Sequence, residues 1–311
     1  MLRHYRPATV LCMVLLTAPF SMAAQQAENP EPHRFLTPIR VLPGIEHAGN
    51  RYRITLLRPS SPPPEHGYPV LYFLDGNAVE QDIEAGRFRP QEVSSPVALV
   101  LVGYETEQRF EVMARAYDYT PAFAPGTTET DPLDARRRTG GAAHFLDFLT
   151  ETVKPAVHAM IPVDARKTGI WGHSYGGLFV LHALLNHPGT FQCHIAASPS
   201  IWWHEGQWLQ RQKERLSTRP PGPMKLLITR GTAESAQKAP SGDMRVDAGR
   251  KARAQTPSTA LPHFADRLGS LPDARVSYLE FDGLGHAEAL TSSLLPALHW
   301  FAECAAKQDQ D

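Results

Sequence analysis

"IWGHSYGGLF" occupies residues 170–179, and its centre, Gly172-His173-Ser174-Tyr175-Gly176, decides how the rest of the chain is read. Roughly one chain in ten of this length carries Gly-x-Ser-x-Gly by chance, so the flanks have to distinguish a reactive serine from a plain glycine-rich turn. Residues 168–171 read as a short apolar strand, and Leu178, Phe179, Val180 and Leu181 open a helix. A serine between such a strand and such a helix occupies a nucleophile elbow. Gly172, Gly176 and Gly177 suit the cramped backbone there. The helix N-terminus beneath Ser174 favours negative charge developing beside it.

Working outward, β-branched and apolar runs bounded by turn residues predict strands over 51–57, 69–74, 97–103, 168–171, 194–197, 224–230 and 275–281. Between them, helical periodicity marks 142–160, 178–185 and 287–304. Strands that alternate with helices, several of them continuously apolar, predict an α/β fold with a mostly parallel sheet covered by helices on both faces. No internal repeat is present. Residues 234–259, rich in charge, Gly, Pro and Ser, read as a long surface excursion.

A serine hydroxyl needs a base. Of the 14 histidines, His286 in "FDGLGHAEAL" has the right setting, on a glycine-flexed loop that follows the last strand and opens the last helix. That is the chain order of an α/β-hydrolase, nucleophile first and histidine last. His173 is expected to pack beside the elbow. For the acid that orients the imidazole, Glu234 on the loop after strand 224–230 is favoured over Asp282, and a serine–histidine pair without a close carboxylate stays open. The oxyanion calls for backbone donors. Tyr175 supplies one N–H, and Gly76 or Asn77, in the turn that ends "VLYFLDGNA", supplies the second.

The first residues carry Arg3 and Arg6, an apolar run over 8–20 and the small residues Ser21-Met22-Ala23, the pattern of a signal peptide. The expectation is a leader over 1–23, a single domain over 24–311, and export. With 31 basic and 32 acidic residues, the net charge of −1 gives no global attraction to nucleic acid or anionic membrane. Cys193 and Cys304 remain after cleavage; they either pair in an oxidising compartment or are buried separately. No metal or cofactor is expected, and no stable membrane insertion after cleavage.

"PVLYFLDGNA", "ARAYDYTP", Gly140-Gly141 before a long helix, "GHSYGGLFVLHAL", "AASPSIWW" and "DGLGHAEAL" occur together and in order. Over about 36–303 the chain resembles the esterase-D-like branch of the α/β-hydrolases, and within it the periplasmic enterobactin/salmochelin siderophore esterases. The resemblance implies Ser174 as nucleophile and His286 as base. It also implies Arg115 as a basic residue beside the site, with Asp118 as a structural partner. It implies a periplasmic serine esterase that opens the trilactone of a catecholate siderophore, with iron arriving in the substrate. Such a trianion would be attracted by Arg87, Arg89, Arg115 and the Arg136-Arg137-Arg138 run, and its rings would stack on Trp202 and Trp203. The competing readings are an exported esterase for feruloyl or short acyl esters, and a protein that binds ferric siderophore without cleaving it.

Overall fold

The computed structural model describes residues 35, 38–124, 126–218, 222–236 and 240–307. The expected leader lies outside them. In chain order the strands are β1 (Ile39–Val41), β2 (Glu46–His47), β3 (Asn50–Leu57), β4 (Tyr68–Leu74), β5 (Ala98–Tyr104), β6 (Glu129–Asp131), β7 (Asp134–Thr139), β8 (Val163–His173), β9 (Cys193–Ala197), β10 (Met224–Gly231) and β11 (Ala274–Phe281). The helices are α1 (Gly76–Glu84), α2 (Ala114–Tyr119), α3 (Ala142–Phe148), α4 (Lys154–Met160), α5 (Tyr175–Asn186), α6 (Gln207–Thr218), α7 (Met244–Gln255), α8 (Ala260–Gly269) and α9 (His286–Ala306).

The main sheet runs β1-β3-β5-β4-β8-β9-β10-β11, with β2 paired to β3. From β5 onward neighbouring strands are parallel, while β1, β2 and β3 add an antiparallel margin. This is the mixed, mostly parallel α/β-hydrolase fold. The central parallel strands are largely apolar because both faces are covered. β5 and β9 are buried at every position, and β4 at all but Pro69. β11, at the sheet edge, alternates in exposure instead.

Side chains of β4 alternate between two cores. Val70, Tyr72 and Leu74 join a layer that includes Phe145 of α3, Phe179 of α5 and Phe264 of α8. Leu71 and Phe73 join the opposite layer with Val79 of α1 and Leu294, Leu298 and Phe301 of α9. The helix expected over 142–160 forms as α3 and α4 joined through a π-type turn at Leu149–Val153.

Two features set the site. β4 lies between β5 and β8, so the connections leaving its carboxyl end and that of β8 diverge over a crevice, the usual ligand position in open α/β sheets. Also, Asp75 after β4, Ser174 after β8 and Ser198 after β9 all hold positive φ (52°, 60° and 44°), a conformation side-chain-bearing residues seldom adopt.

Cys193, at the start of β9, is disulfide-bonded to Cys304 near the end of α9, 111 residues away. The bond ties the helix that begins with His286 to the centre of the sheet. Closing so long a loop removes much freedom from the unfolded chain, so Cys304→Ser is expected to cost about 2–5 kcal/mol of stability. Denaturant unfolding without reductant measures it, and a loss below about 1 kcal/mol counts against the unfolded-state account.

One expectation is corrected. The excursion over 234–259 is not irregular, for α7 fills its second half. Its sparse apolar residues hid the helical period.

Candidate active site

β8 delivers the chain to Ser174, whose φ of 60° and ψ of −114° fold the backbone sharply before α5 starts at Tyr175. Three hydrogen bonds hold the bend. Ser174 N–H donates to Ala197 O at 3.0 Å, and its carbonyl accepts from Leu178 N–H at 2.9 Å and Ser200 N–H at 3.1 Å. Two glycines make the bend possible. A Cβ on Gly172 would lie 2.5 Å from the Gly176 carbonyl, and one on Gly177 would lie 2.8 Å from Ala197 O. Gly176 is different, since its nearest neighbour, Leu74, would be 3.7 Å away. The three glycines are therefore not equivalent. Gly172→Ala is expected to destabilise the fold by about 1–3 kcal/mol through overpacking, while Gly176→Ala stays within about 1 kcal/mol of the parent. Paired denaturant unfolding curves compare them, and equal losses would refute the distinction.

The histidine and acid meet the serine from the far side. His286 Nε2 lies 3.0 Å from Ser174 Oγ, and its Nδ1 lies 2.9 Å from Glu234 Oε2. Glu234 is fixed in turn, for its Oε1 accepts from Ser198 Oγ at 2.6 Å and from Gly231 N–H at 2.7 Å. Burial alone would raise the Glu234 pKa; the bond and charge interaction with His286, then the Ser198 and Gly231 donors, outweigh it and hold the carboxyl down at about 2. Asp282 does not reach the imidazole. Its exposed carboxylate accepts from Thr232 Oγ1 at 3.2 Å, because the three residues between it and His286 turn it outward.

Burial pushes the His286 pKa below the usual 6.5, even though Glu234 pulls it upward. The ring is therefore neutral at pH 7, as a base must be. His173 packs where expected, its ring 4.6 Å from that of His286 and its Nε2–H donating to His286 O at 3.0 Å. Burial, then the neighbouring His286, keep His173 neutral as well. Because protonating His286 removes the base, kcat/KM should fall as pH drops through a midpoint below 6.5 and be flat at neutral pH. An acid-limb midpoint at or above 7 would contradict this.

A cavity of about 430 Å³ opens over Ser174 and His286, walled by Arg115, Arg137, Tyr175 and Trp202, with α7 contributing Arg250 and Arg253. Arg115 is gripped by Asp75, Nε to Oδ1 at 2.7 Å and Nη2 to Oδ2 at 2.8 Å, and lies over the rings of Tyr119 and Tyr175. Arg137 pairs with Asp131 at 2.8 Å, and the same carboxylate accepts from Tyr175 OH. Arg87 pairs with Asp82, Arg89 with Glu92 and Arg136 with Asp134, all outside the cavity wall. Asp118 takes the hydroxyls of Tyr52 and Tyr104, a structural role in the core.

The two tryptophans separate. Trp202 borders the cavity, whereas Trp203 is buried against Tyr175 with its Nε1–H on Pro121 O at 3.3 Å. The expectation that both stack on substrate is thus corrected for Trp203, which packs the core. Asn77 likewise directs its side chain to β5, donating to Tyr104 O and Thr106 O and accepting from Tyr104 N–H. Only its backbone, with that of Gly76, remains at the start of α1 to serve as an oxyanion donor. Ser198 and Ser200 gained no role from the sequence although "AASPS" stood out. Ser200 Oγ lies 3.2 Å from Ser174 Oγ.

Comparison with known proteins gives the family. The esterase family, described as "Putative esterase", matches residues 45–255, and the chain belongs to it: it is a serine-type carboxylic-ester hydrolase. Ferri-bacillibactin esterase BesA of Bacillus subtilis is 34% identical over 260 residues, covering 80% of this chain and 84% of that protein. Apo-salmochelin esterase of Escherichia coli is 38% identical over 150 residues, 48% of this chain and 47% of that one. Among solved structures, the enterobactin and salmochelin hydrolase IroE superposes with a TM-score of 0.61 at 28% identity, covering 87% of this chain and 96% of that chain.

Proposed function

We propose that the chain is a periplasmic esterase that hydrolyses the trilactone ester bonds of a catecholate siderophore in its ferric form and so releases iron. The observation that carries the reading is the Ser174–His286–Glu234 relay inside an arginine-walled cavity. The names of BesA and the salmochelin esterase supply the substrate class, and the iron-loaded form follows the relative matched over most of its length. The expected leader supports the location.

In the reaction, His286 Nε2 takes the Ser174 proton as Oγ attacks the ester carbonyl. Glu234 holds Nδ1–H and balances the imidazolium that forms. The carbonyl oxygen, now an anion, is met by Tyr175 N–H at the head of α5 and by the Gly76 or Asn77 backbone, each such donor being worth about 10²–10³ in rate. His286 returns its proton to the leaving serine alkoxide. Water, activated by the same imidazole, then clears the acyl-enzyme. A protein that only bound siderophore would have no use for the relay.

Incubating the chain with ferric and iron-free tris-catecholate trilactone and separating the products tests the reading. Linear dihydroxybenzoyl-serine oligomers, formed faster from the ferric form, are expected. Intact ligand in a tight complex overturns the enzymatic reading, and turnover of simple acyl esters alone moves the protein to another esterase specificity. For the location, a mature N-terminus near Ala24 in the periplasmic fraction is expected, and an uncleaved chain in the membrane overturns it.

A further inference from the structure

Among the described residues, four arginines border the cavity above Ser174, and three of them face a carboxylate: Arg115 meets Asp75, Arg137 meets Asp131 and Arg250 meets Asp247. Arg253 does not. Its Nε is sequestered from solvent without a hydrogen-bond partner, and among the described residues no carboxylate pairs with its guanidinium. The field of Glu234 reaches it, yet both Glu234 oxygens are already taken, one by His286 and the other by Ser198 and Gly231.

The space for this group is built into α7. Gly249 sits one turn before Arg253, and a Cβ there would stand 3.4 Å from Nη1 and 3.8 Å from Nη2. The guanidinium therefore lies back over Gly249, in the direction helical side chains take, and borders the same cavity as Ser174 and His286. A guanidinium keeps its charge at any physiological pH. Half-buried and without a carboxylate partner among the described residues, it binds an anion more strongly than an exposed cation would.

We propose that Arg253 is a specificity-determining residue, receiving an anionic oxygen of the substrate while the ester carbonyl lies at Ser174. The inference rests on the esterase reading of the cavity and deepens it: the preferred esters carry a carboxylate- or phenolate-type negative charge near the scissile bond. In a ferric tris-catecholate, a metal-bound phenolate oxygen would fill this place.

The test uses two esters that share a leaving group and acyl length and differ in one terminal charge, para-nitrophenyl butyrate and para-nitrophenyl hydrogen succinate. In Arg253→Gln, the ratio of kcat/KM for succinate over butyrate should fall about tenfold or more, chiefly through a raised KM for the succinate. Arg253→Lys should keep part of the ratio, since it retains the charge without the planar fork. Added salt should compress the parent's ratio toward that of the Gln variant. A Gln variant with an unchanged ratio overturns the proposal, whether both rates hold or both fall together, for then Arg253 merely supports α7. Failure of the parent to hydrolyse either ester would instead strike the esterase reading itself.

Discussion

Replacing Ser174 with alanine should lower kcat by a factor on the order of 10⁶ while leaving the fold intact. The size follows from how the parts depend on one another. Oγ is the atom that forms the acyl bond, and His286 has nothing to deprotonate without it. Residual rate then comes from the cavity and the oxyanion donors acting on a water molecule. The elbow itself should persist, because its three hydrogen bonds use the Ser174 backbone and not the side chain. Steady-state kinetics on the ferric trilactone, with circular dichroism as a check on folding, measures the effect. A fall of only several-fold would remove Ser174 from the chemistry.

Glu234→Ala and Asp282→Ala, made side by side, should differ by several orders of magnitude. Removing Glu234 frees the imidazole to take the wrong tautomer and leaves its positive form uncompensated in a buried place. A loss in kcat on the order of 10⁴ is expected, by analogy with the acid of other serine hydrolases. Asp282→Ala removes only an exposed bond to Thr232 and should leave kcat within about threefold of the parent. Ser198→Ala should fall between the two, since Gly231 N–H still holds the same Glu234 oxygen. Equal losses for the two carboxylates would refute the assignment of Glu234. Protonation adds a stability effect of known sign. The Glu234 carboxyl is held down at about 2 in the folded protein, against about 4.5 ordinarily, so its contribution is complete above about pH 4.5 and disappears as pH falls toward 2.

The strands and the reactive serine were legible in the sequence because their signals are local. β4 and β5 announce themselves by continuous apolar runs, and the elbow by a strand, a glycine-flanked serine and a helix within a dozen residues. His286 was found through chain order and its position after the last strand. Features that depend on side-chain direction were harder. Trp202 and Trp203 are adjacent, and only the turn that carries them decides that one borders the cavity while the other meets Tyr175. Glu234 and Asp282 both follow strands, and the choice between them came from the 231–234 turn, which folds the glutamate back over Gly231 N–H. α7 was missed because a helix with few apolar residues shows little period, and with it went Arg250 and Arg253. The antiparallel margin of β1 to β3 also escaped, since pairing direction leaves no mark on short apolar segments.

The positive φ angles at Asp75, Ser174 and Ser198 have a bearing on how this esterase can change. Each position would be more comfortable as glycine, yet each side chain is in use: Asp75 grips Arg115, Ser174 faces His286, and Ser198 steadies Glu234. Relaxation and activity are therefore opposed at the same three residues. Selection for heat resistance would have to leave this rim alone and find its gains elsewhere, in surface loops and helix ends. A laboratory lineage screened for melting temperature alone would drift toward glycine at Ser174, where no ion pair is lost, and arrive at a sturdier, inert scaffold.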